Sequence, residues 1–259
     1  MRRSRFWLVL ACALSLLAGV AHAQGFPAND DRNVLSPDGQ LEFRLFTSVP
    51  EDSNLNCLAY QVWLRGKLLI DTSYLGLNIH FQEPLLGENV GLSNSKALHG
   101  ERYNGLFADY LQTSTTGRRI QFEVRIWNDG VAFRYIVPKS PLLVDLLLED
   151  DATQFNFAQN AATERPARTE LPYAEQENGG VWVGIFEQGI PNFPHLQLVR
   201  ANAHLLVAHL PDKPHDPNVA FEGKTPWTSP WRMIAIGTDR AQLGKSEMLR
   251  VSSELRSAE

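Results

Sequence analysis

Apolar and polar residues alternate with a period of two along most of the chain. Short runs of this kind, bounded by Gly, Pro, Asn and Asp, predict β-strands. The clearest runs are residues 41–46, 60–64, 67–70, 181–186 and 204–209. Arg65-Gly66 separates the second run from the third, which predicts a hairpin. No amphipathic helical pattern exceeds about two turns, and only residues 141–151 are ambiguous between helix and strand.

Residues 120–137 predict the best-defined hairpin of the chain. An Asp129-Gly130 turn keeps apolar side chains opposite apolar side chains. The predicted pairs are Ile126 with Phe133, Val124 with Tyr135, and Arg125 with Arg134. Two arginines opposite each other repel, so the pattern requires a nearby acid such as Glu123. We therefore expect Arg134 to form a salt bridge on the sheet face, with ligand binding as the alternative role.

Many short strands separated by turn formers are typical of all-β proteins. With 15 prolines and 18 glycines, the chain favours an antiparallel β-sandwich or barrel. We find no internal repeat, no low-complexity linker and no change in composition that would divide residues 24–259. The expectation is one all-β domain over that range.

The first 23 residues predict a secretory signal peptide. Three arginines precede an uncharged stretch from Phe6 to Val20, and an Ala-His-Ala site ends at Ala23. The apolar stretch is shorter than the roughly 20 residues that a membrane-spanning helix needs, and no other segment approaches that length. Cys57 would be the only cysteine after cleavage, so an intrachain disulfide is excluded. We expect a periplasmic or secreted protein without a membrane span.

The charge balance makes nucleic acid an unlikely partner class. Without the three arginines of the signal segment, the 24 Lys and Arg of the chain become 21 against 29 Asp and Glu, a net charge of −8. An acidic surface repels a phosphate backbone.

Five strings of residues, in one order, resemble a known domain. They are Ser36-Pro-Asp-Gly39, Asp129-Gly-Val-Ala-Phe-Arg-Tyr135, Phe155-Asn-Phe-Ala158, Ile185-Phe-Glu-Gln188 with Phe193-Pro194, and the string GKTPWTSPWR at residues 223–232. The same order is found in the N-terminal domain of glycoside hydrolase family 97, and the resemblance covers roughly residues 34–250. It implies a β-super-sandwich resembling galactose mutarotase. Family enzymes cleave α-glucosidic or α-galactosidic bonds.

The resemblance also implies what the chain lacks. In the family, the sandwich precedes a (β/α)8 barrel that carries the catalytic carboxylates, and a smaller C-terminal β domain follows. A barrel needs about 250 residues, which do not follow the sandwich in this sequence. We expect an N-terminal domain only, inactive alone, that packs on a catalytic barrel in the same protein or from a separate reading frame.

Glu187 is the one metal ligand that the resemblance implies. Ile185-Phe-Glu-Gln188 resembles a family segment whose glutamate contributes to a calcium site shared with barrel carboxylates. Calcium takes six to eight oxygen ligands, so Glu187 alone cannot hold it. Phe186 stands where the family has a histidine. The alternative is a polar residue at a strand end, and we expect no calcium binding by this chain alone.

Other candidate residues have weaker patterns. Glycoside hydrolysis requires two carboxyl groups placed across the bond. The acids in suggestive positions are Glu149, Asp150, Asp151, Glu164, Glu170, Glu175, Glu177 and Glu187, and the sequence gives no distance between them. None of the histidines lies in a context that resembles a mutarotase motif. Trp227 and Trp231 are of a type that stacks on sugars, although core packing is the commoner role.

Three hypotheses of function follow from the sequence. The favoured one is a non-catalytic N-terminal domain of a family 97-like α-glycosidase that contributes to the calcium site of its barrel. The second is a stand-alone periplasmic carbohydrate-binding sandwich without catalysis. The third is a complete small enzyme that acts on sugars.

Overall fold

The structure is a computed structural model that describes residues 31–113, 117–159, 163–164, 174–177, 179–214, 216 and 218–250. The predicted signal peptide and Glu170 lie outside the described residues. Within these ranges the chain forms β-strands, one short helix at Arg240–Leu243 and helical residues at 247–250. The all-β prediction is therefore confirmed.

The strands follow one another along the chain in the order given next. They are β1 Arg32–Leu35, β2 Leu41–Ser48, β3 Cys57–Leu64, β4 Lys67–Tyr74, β5 Leu77–Ile79, β6 Gln82–Leu86, β7 Val90–His99, β8 Asn104–Gln112, β9 Arg119–Trp127, β10 Gly130–Val137, β11 Asp145–Asp151, β12 Gln154–Phe157, β13 Thr163–Glu164, β14 Ala174–Glu177, β15 Trp182–Gln188, β16 Gln197–Arg200, β17 Leu205–His209, β18 Phe221–Lys224, β19 Trp227–Thr228 and β20 Trp231–Gly237; helix α1 is Arg240–Leu243.

These strands form three antiparallel sheets. The first has the order β1-β2-β3-β4-β12-β17-β16, and the second has the order β13-β14-β15-β20-β10-β9-β8-β7 with β19 beside β10. A smaller sheet has the order β18-β11-β5-β6. All the strand runs that the alternation predicts are present, and the ambiguous residues 141–151 contain strand β11.

The two large sheets pack face to face through aromatic side chains. Phe43 of β2 lies 6.2 Å from Phe122 of β9, and Tyr60 of β3 lies 5.2 Å from Phe133 of β10, between ring centroids. All four rings are fully buried. Burial of such rings is the largest apolar contribution that single side chains make to a core. The sandwich interior therefore lies between the first and second sheets.

The predicted register of the β9–β10 hairpin is wrong by two residues. The structure pairs Ile126 with Val131 and Val124 with Phe133. The turn residues are Asn128 and Asp129, and Gly130 is the first residue of β10. A shift of two residues keeps every side chain on its predicted face, so the alternation alone cannot distinguish the two registers.

Contacts from other parts of the chain fix the observed turn. A Cβ atom on Gly130 would lie 2.8 Å from the Ile234 carbonyl oxygen and 2.8 Å from the Met248 sulfur. The Asp129 carboxylate accepts hydrogen bonds from the backbone N–H groups of Glu247 and Met248. Burial raises the pKa of Asp129. Glycine at position 130 therefore permits close packing against β20 and is not needed for the turn itself.

Within the described residues, no helix has the length and apolar composition needed to cross a membrane.

Candidate functional site

A fully buried arginine lies at the centre of the second sheet. Arg232 belongs to β20, which is otherwise apolar or small, and β20 lies between β15 and β10. Its side chain has no solvent exposure. An isolated charge in such a place is very costly, so Arg232 requires carboxylate partners.

Two buried carboxylates surround this guanidinium group. The Nε and Nη2 atoms of Arg232 donate to Oδ2 of Asp151 over 3.0 and 2.6 Å, and Nη1 donates to Oε1 of Glu187. Both carboxylates are 1% exposed. Burial alone would lower the pKa of Arg232, but the two carboxylates outweigh it and raise that pKa. We call Asp151, Arg232 and Glu187 the buried triad.

Hydrogen bonds extend the triad into the sandwich interior. Oδ1 of Asp151 accepts from the backbone N–H of Thr153 over 2.9 Å. The Thr153 hydroxyl lies 2.7 Å from the hydroxyl of Tyr135, which also accepts from the backbone N–H of Gly76 over 3.2 Å. Burial raises the pKa of Tyr135 well above its usual range. The triad thereby connects β11, β15 and β20 with the aromatic core.

Glu187 uses both carboxylate oxygens within this chain. Oε1 accepts from Arg232, and Oε2 accepts from the backbone N–H of Leu196 over 3.1 Å and lies 3.4 Å from Nδ1 of His195. The guanidinium group at Oε1 repels a second cation at the same carboxylate. The described residues contain no group of three or more His, Cys, Asp or Glu side chains that could hold a metal ion. The triad as it stands therefore does not fit calcium.

The acidic run at the end of β11 does not form a carboxylate pair. Asp150 lies 2.7 Å from Nδ1 of His209, Glu149 contacts His80, and Asp151 contacts Arg232. Each acid thus has its own cationic or histidine partner. Three neighbouring acids with separate partners do not provide the facing acid and base that glycoside hydrolysis needs.

Two of the other candidate acids also have partners of their own. Glu175 is buried and bonds to Nη2 of Arg240 over 2.6 Å, and Glu177 accepts from the backbone N–H of Gly180. The structure describes the backbone of Glu164 but not its side chain.

Arg134 lies on the outer face of the second sheet, where it forms the expected salt bridge. In the observed register it is directly opposite Glu123, and its Nη2 lies 3.0 Å from Oε2 of that residue. Arg125 bonds to the other oxygen of Glu123 over 2.7 Å. Both guanidinium groups lie over the ring of Trp231, at 4.4 Å for Arg134 and 4.8 Å for Arg125. Charge pairing and cation–π contact account for Arg134 without a ligand.

The two tryptophans of the string at residues 223–232 are both buried. Trp227 packs against Phe193 and Phe221, with ring centroids 5.5 and 5.8 Å away. Trp231 packs with Phe186 in an apolar cluster on the outer face of the second sheet. The packing interpretation is confirmed for both rings, and neither presents an open face to a sugar.

The sequence interpretation missed the role of Arg232. A single charged residue in the apolar run of β20 is the signal that points to it, because a central strand tolerates such a residue only beside buried carboxylates. Which carboxylates these are depends on the fold, since Asp151 and Glu187 lie 81 and 45 residues away along the chain.

Comparison with known proteins agrees with this architecture. Residues 34–176 match the model of the family described as Glycosyl-hydrolase 97 N-terminal. No curated protein sequence matches the chain.

Several solved structures share the fold. A glycoside hydrolase family 97 enzyme from Pseudoalteromonas sp. strain K8, in complex with acarbose, superposes with a TM-score of 0.70 at 20% identity. The match covers 84% of this chain and 37% of that enzyme, and the values are the same for a variant in complex with panose. A β-arabinopyranosidase matches with a TM-score of 0.62 at 18% identity, over 81% of this chain and 40% of that one. The chain thus spans well under half the length of these enzymes.

Proposed function

Since the chain belongs to the glycosyl-hydrolase 97 N-terminal family, we propose that it is the non-catalytic N-terminal domain of a family 97-like α-glycosidase and packs on a catalytic barrel. The observation that carries the proposal is the agreement of family and fold across a chain in which Glu149, Asp150 and Asp151 each have a separate structural partner. The described residues include no (β/α)8 barrel. We assign catalysis to the partner domain.

We also propose that Glu187 contributes one ligand to a calcium site that it shares with the barrel. Glu187 is already paired with Arg232 in this structure. For Glu187 to bind calcium, a barrel would have to supply the other oxygen ligands and the Arg232 contact would have to loosen. We expect no calcium binding by the chain alone, and a Glu187→Gln change should weaken calcium binding only in a complex with the barrel.

Residues 1–23 are proposed to direct export to the periplasm or the medium. Their basic start, apolar stretch and Ala-His-Ala site support this proposal. N-terminal sequencing of the exported protein tests it, because cleavage after Ala23 would leave Gln24 as the first residue.

Sequencing the DNA around the gene is the simplest test of the main proposal. A reading frame for a family 97 barrel, either continuous with codon 259 or close to it, would support the proposal. Its absence from the genome would contradict the proposal and favour the second candidate, a stand-alone carbohydrate-binding sandwich.

Activity of the purified chain gives a direct biochemical test. We expect no hydrolysis of chromogenic α-glucosides or α-galactosides by the chain alone, because Glu149 and Asp150 are engaged by histidines and Asp151 and Glu187 are both held by Arg232. Turnover that survives purification to homogeneity would contradict the non-catalytic role. Addition of the barrel protein should produce turnover. This positive control shows that the substrate and the buffer permit hydrolysis.

A further inference from the structure

A cleft lies on the outer face of the first sheet, away from the buried triad. With a volume of about 830 Å³, it runs over β4, β12 and β17, and the loop at residues 50–53 forms one wall. Its volume is within the range of about 300–1,000 Å³ that is typical of small-molecule sites. The cleft shares no lining residue with the buried triad.

Three amide side chains line the cleft. In each, one polar atom of the amide group has a hydrogen bond within the protein and the other is available to a ligand. Oε1 of Gln154 accepts from the backbone N–H of Tyr74 over 3.3 Å, and Nδ2 of Asn156 donates to the Thr72 carbonyl over 3.2 Å. Oδ1 of Asn202 accepts from the backbone N–H of His204 over 2.8 Å. Within the described residues, Nε2 of Gln154, Oδ1 of Asn156 and Nδ2 of Asn202 have no hydrogen-bond partner. The cleft therefore presents fixed donors and acceptors.

The remaining lining combines apolar surface with carboxylates. Tyr74 presents a half-buried ring, and Leu205 adds apolar surface beside it. Glu88 and the exposed Glu51 and Asp52 add carboxyl oxygens. Burial raises the pKa of Glu88, which indicates that its part of the cleft is shielded from water.

The chemistry of this lining selects among ligand classes. Lysine, arginine and histidine are missing from the lining among the described residues, so an anionic ligand would lack a counter-charge. A sugar hydroxyl both donates and accepts hydrogen bonds, and its pyranose ring has an apolar face. The amide and carboxylate groups of the cleft match the hydroxyl groups of a sugar. The aromatic ring matches the apolar face of the pyranose.

We propose that this cleft is a binding site for a neutral oligosaccharide, formed by Tyr74, Gln154, Asn156 and Asn202 with the acidic wall. This site goes beyond the proposed packing role, since it needs neither the barrel nor Glu187.

Isothermal titration of the purified chain with panose tests the proposal. We expect saturable binding with one panose per chain, and panose should be recovered intact afterwards. Tyr74→Ala should weaken binding by at least about tenfold, because it removes the ring and its hydroxyl group. Trp63→Ala is the matched control, since Trp63 is an aromatic residue of the same sheet outside the cleft, and it should bind panose like the unchanged protein.

Gln154→Glu provides a second variant in case Tyr74→Ala does not fold. It keeps the oxygen that accepts from Tyr74 but replaces the open N–H donor, so panose binding should weaken while the thermal midpoint stays close to that of the unchanged protein.

No heat with panose, or equal affinity in both cleft variants and the control, would overturn the proposal. Spermidine binding that Gln154→Glu strengthens, without panose binding, would also overturn it and assign the cleft to amines. Any of these results would leave the barrel-packing proposal untouched.

Discussion

Arg232 illustrates how one residue can depend on distant parts of the chain. It carries one positive charge between two buried carboxylates, Asp151 and Glu187. A buried ion pair is not in itself evidence of high stability, because its desolvation is costly. The loss of one partner, however, leaves uncompensated charge in the interior. The triad therefore tolerates joint replacement better than single replacement.

Arg232→Met should lower the free energy of unfolding by about 3–5 kcal/mol, because Asp151 and Glu187 would remain buried without a counter-charge. Urea denaturation measures this change. The same substitution combined with Asp151→Asn and Glu187→Gln should cost clearly less. Arg44→Met, which removes a more exposed arginine paired with Glu42, is the matched control and should cost at most about 1 kcal/mol. Equal losses for Arg232 and Arg44 would contradict a structural role for the triad.

The buried thiol of Cys57 makes the stability of the fold depend on pH. Burial raises the pKa of its thiol to about 12, whereas a thiol in an unfolded chain has a pKa of about 8.5. The folded state thus keeps a proton that the unfolded state releases. Between these two values, stability falls as pH rises, by at most about 1.4 kcal/mol per pH unit for this group.

Cys57→Ala removes this contribution, so its stability relative to the unchanged protein should increase from pH 8 towards pH 11. Urea midpoints across that range measure the difference, and other titrating groups cancel because both proteins share them. A constant difference between the two proteins over the whole range would show that the thiol is not shielded.

The β9–β10 hairpin shows, for a single element, what the sequence can and cannot predict. Alternation correctly assigns Phe122, Val124 and Phe133 to the core face and Arg134 to the outer face. It does not select the register, because a shift of two residues preserves every face. The register depends on β20 and Met248 packing against Gly130, and these contacts join residues far apart in sequence.

Cysteine cross-linking distinguishes the two registers. In a Cys57→Ala background, Arg125→Cys with Ala132→Cys places the new cysteines directly opposite each other, at a Cα separation of about 5.5 Å that a disulfide can bridge. Arg125→Cys with Arg134→Cys would be directly opposite in the alternative register. In the observed register these two cysteines are diagonal neighbours, about 7–8 Å apart. Oxidation should cross-link the first pair faster, as thiol titration of the unfolded products would reveal. Preferential cross-linking of the second pair would contradict the observed register.

At the scale of the whole molecule, the sandwich and its family were predictable because both rest on local alternation and on short ordered strings. The buried triad and the cleft over β4, β12 and β17 were not, because each unites side chains from strands separated by many residues. Asp151 is a clear case: the sequence presents it as one of three equivalent acids, and only the sheet order places it, rather than Glu149 or Asp150, beside Arg232.

The central claim is that this sandwich packs on a family 97 catalytic barrel. Its most direct test is sedimentation of the purified chain with a separately expressed family 97 barrel from the same genome. We predict a 1:1 complex at concentrations on the order of 10 μM, which corresponds to a binding free energy near −7 kcal/mol. Two independent species that persist at about 1 mM of each protein would contradict the claim.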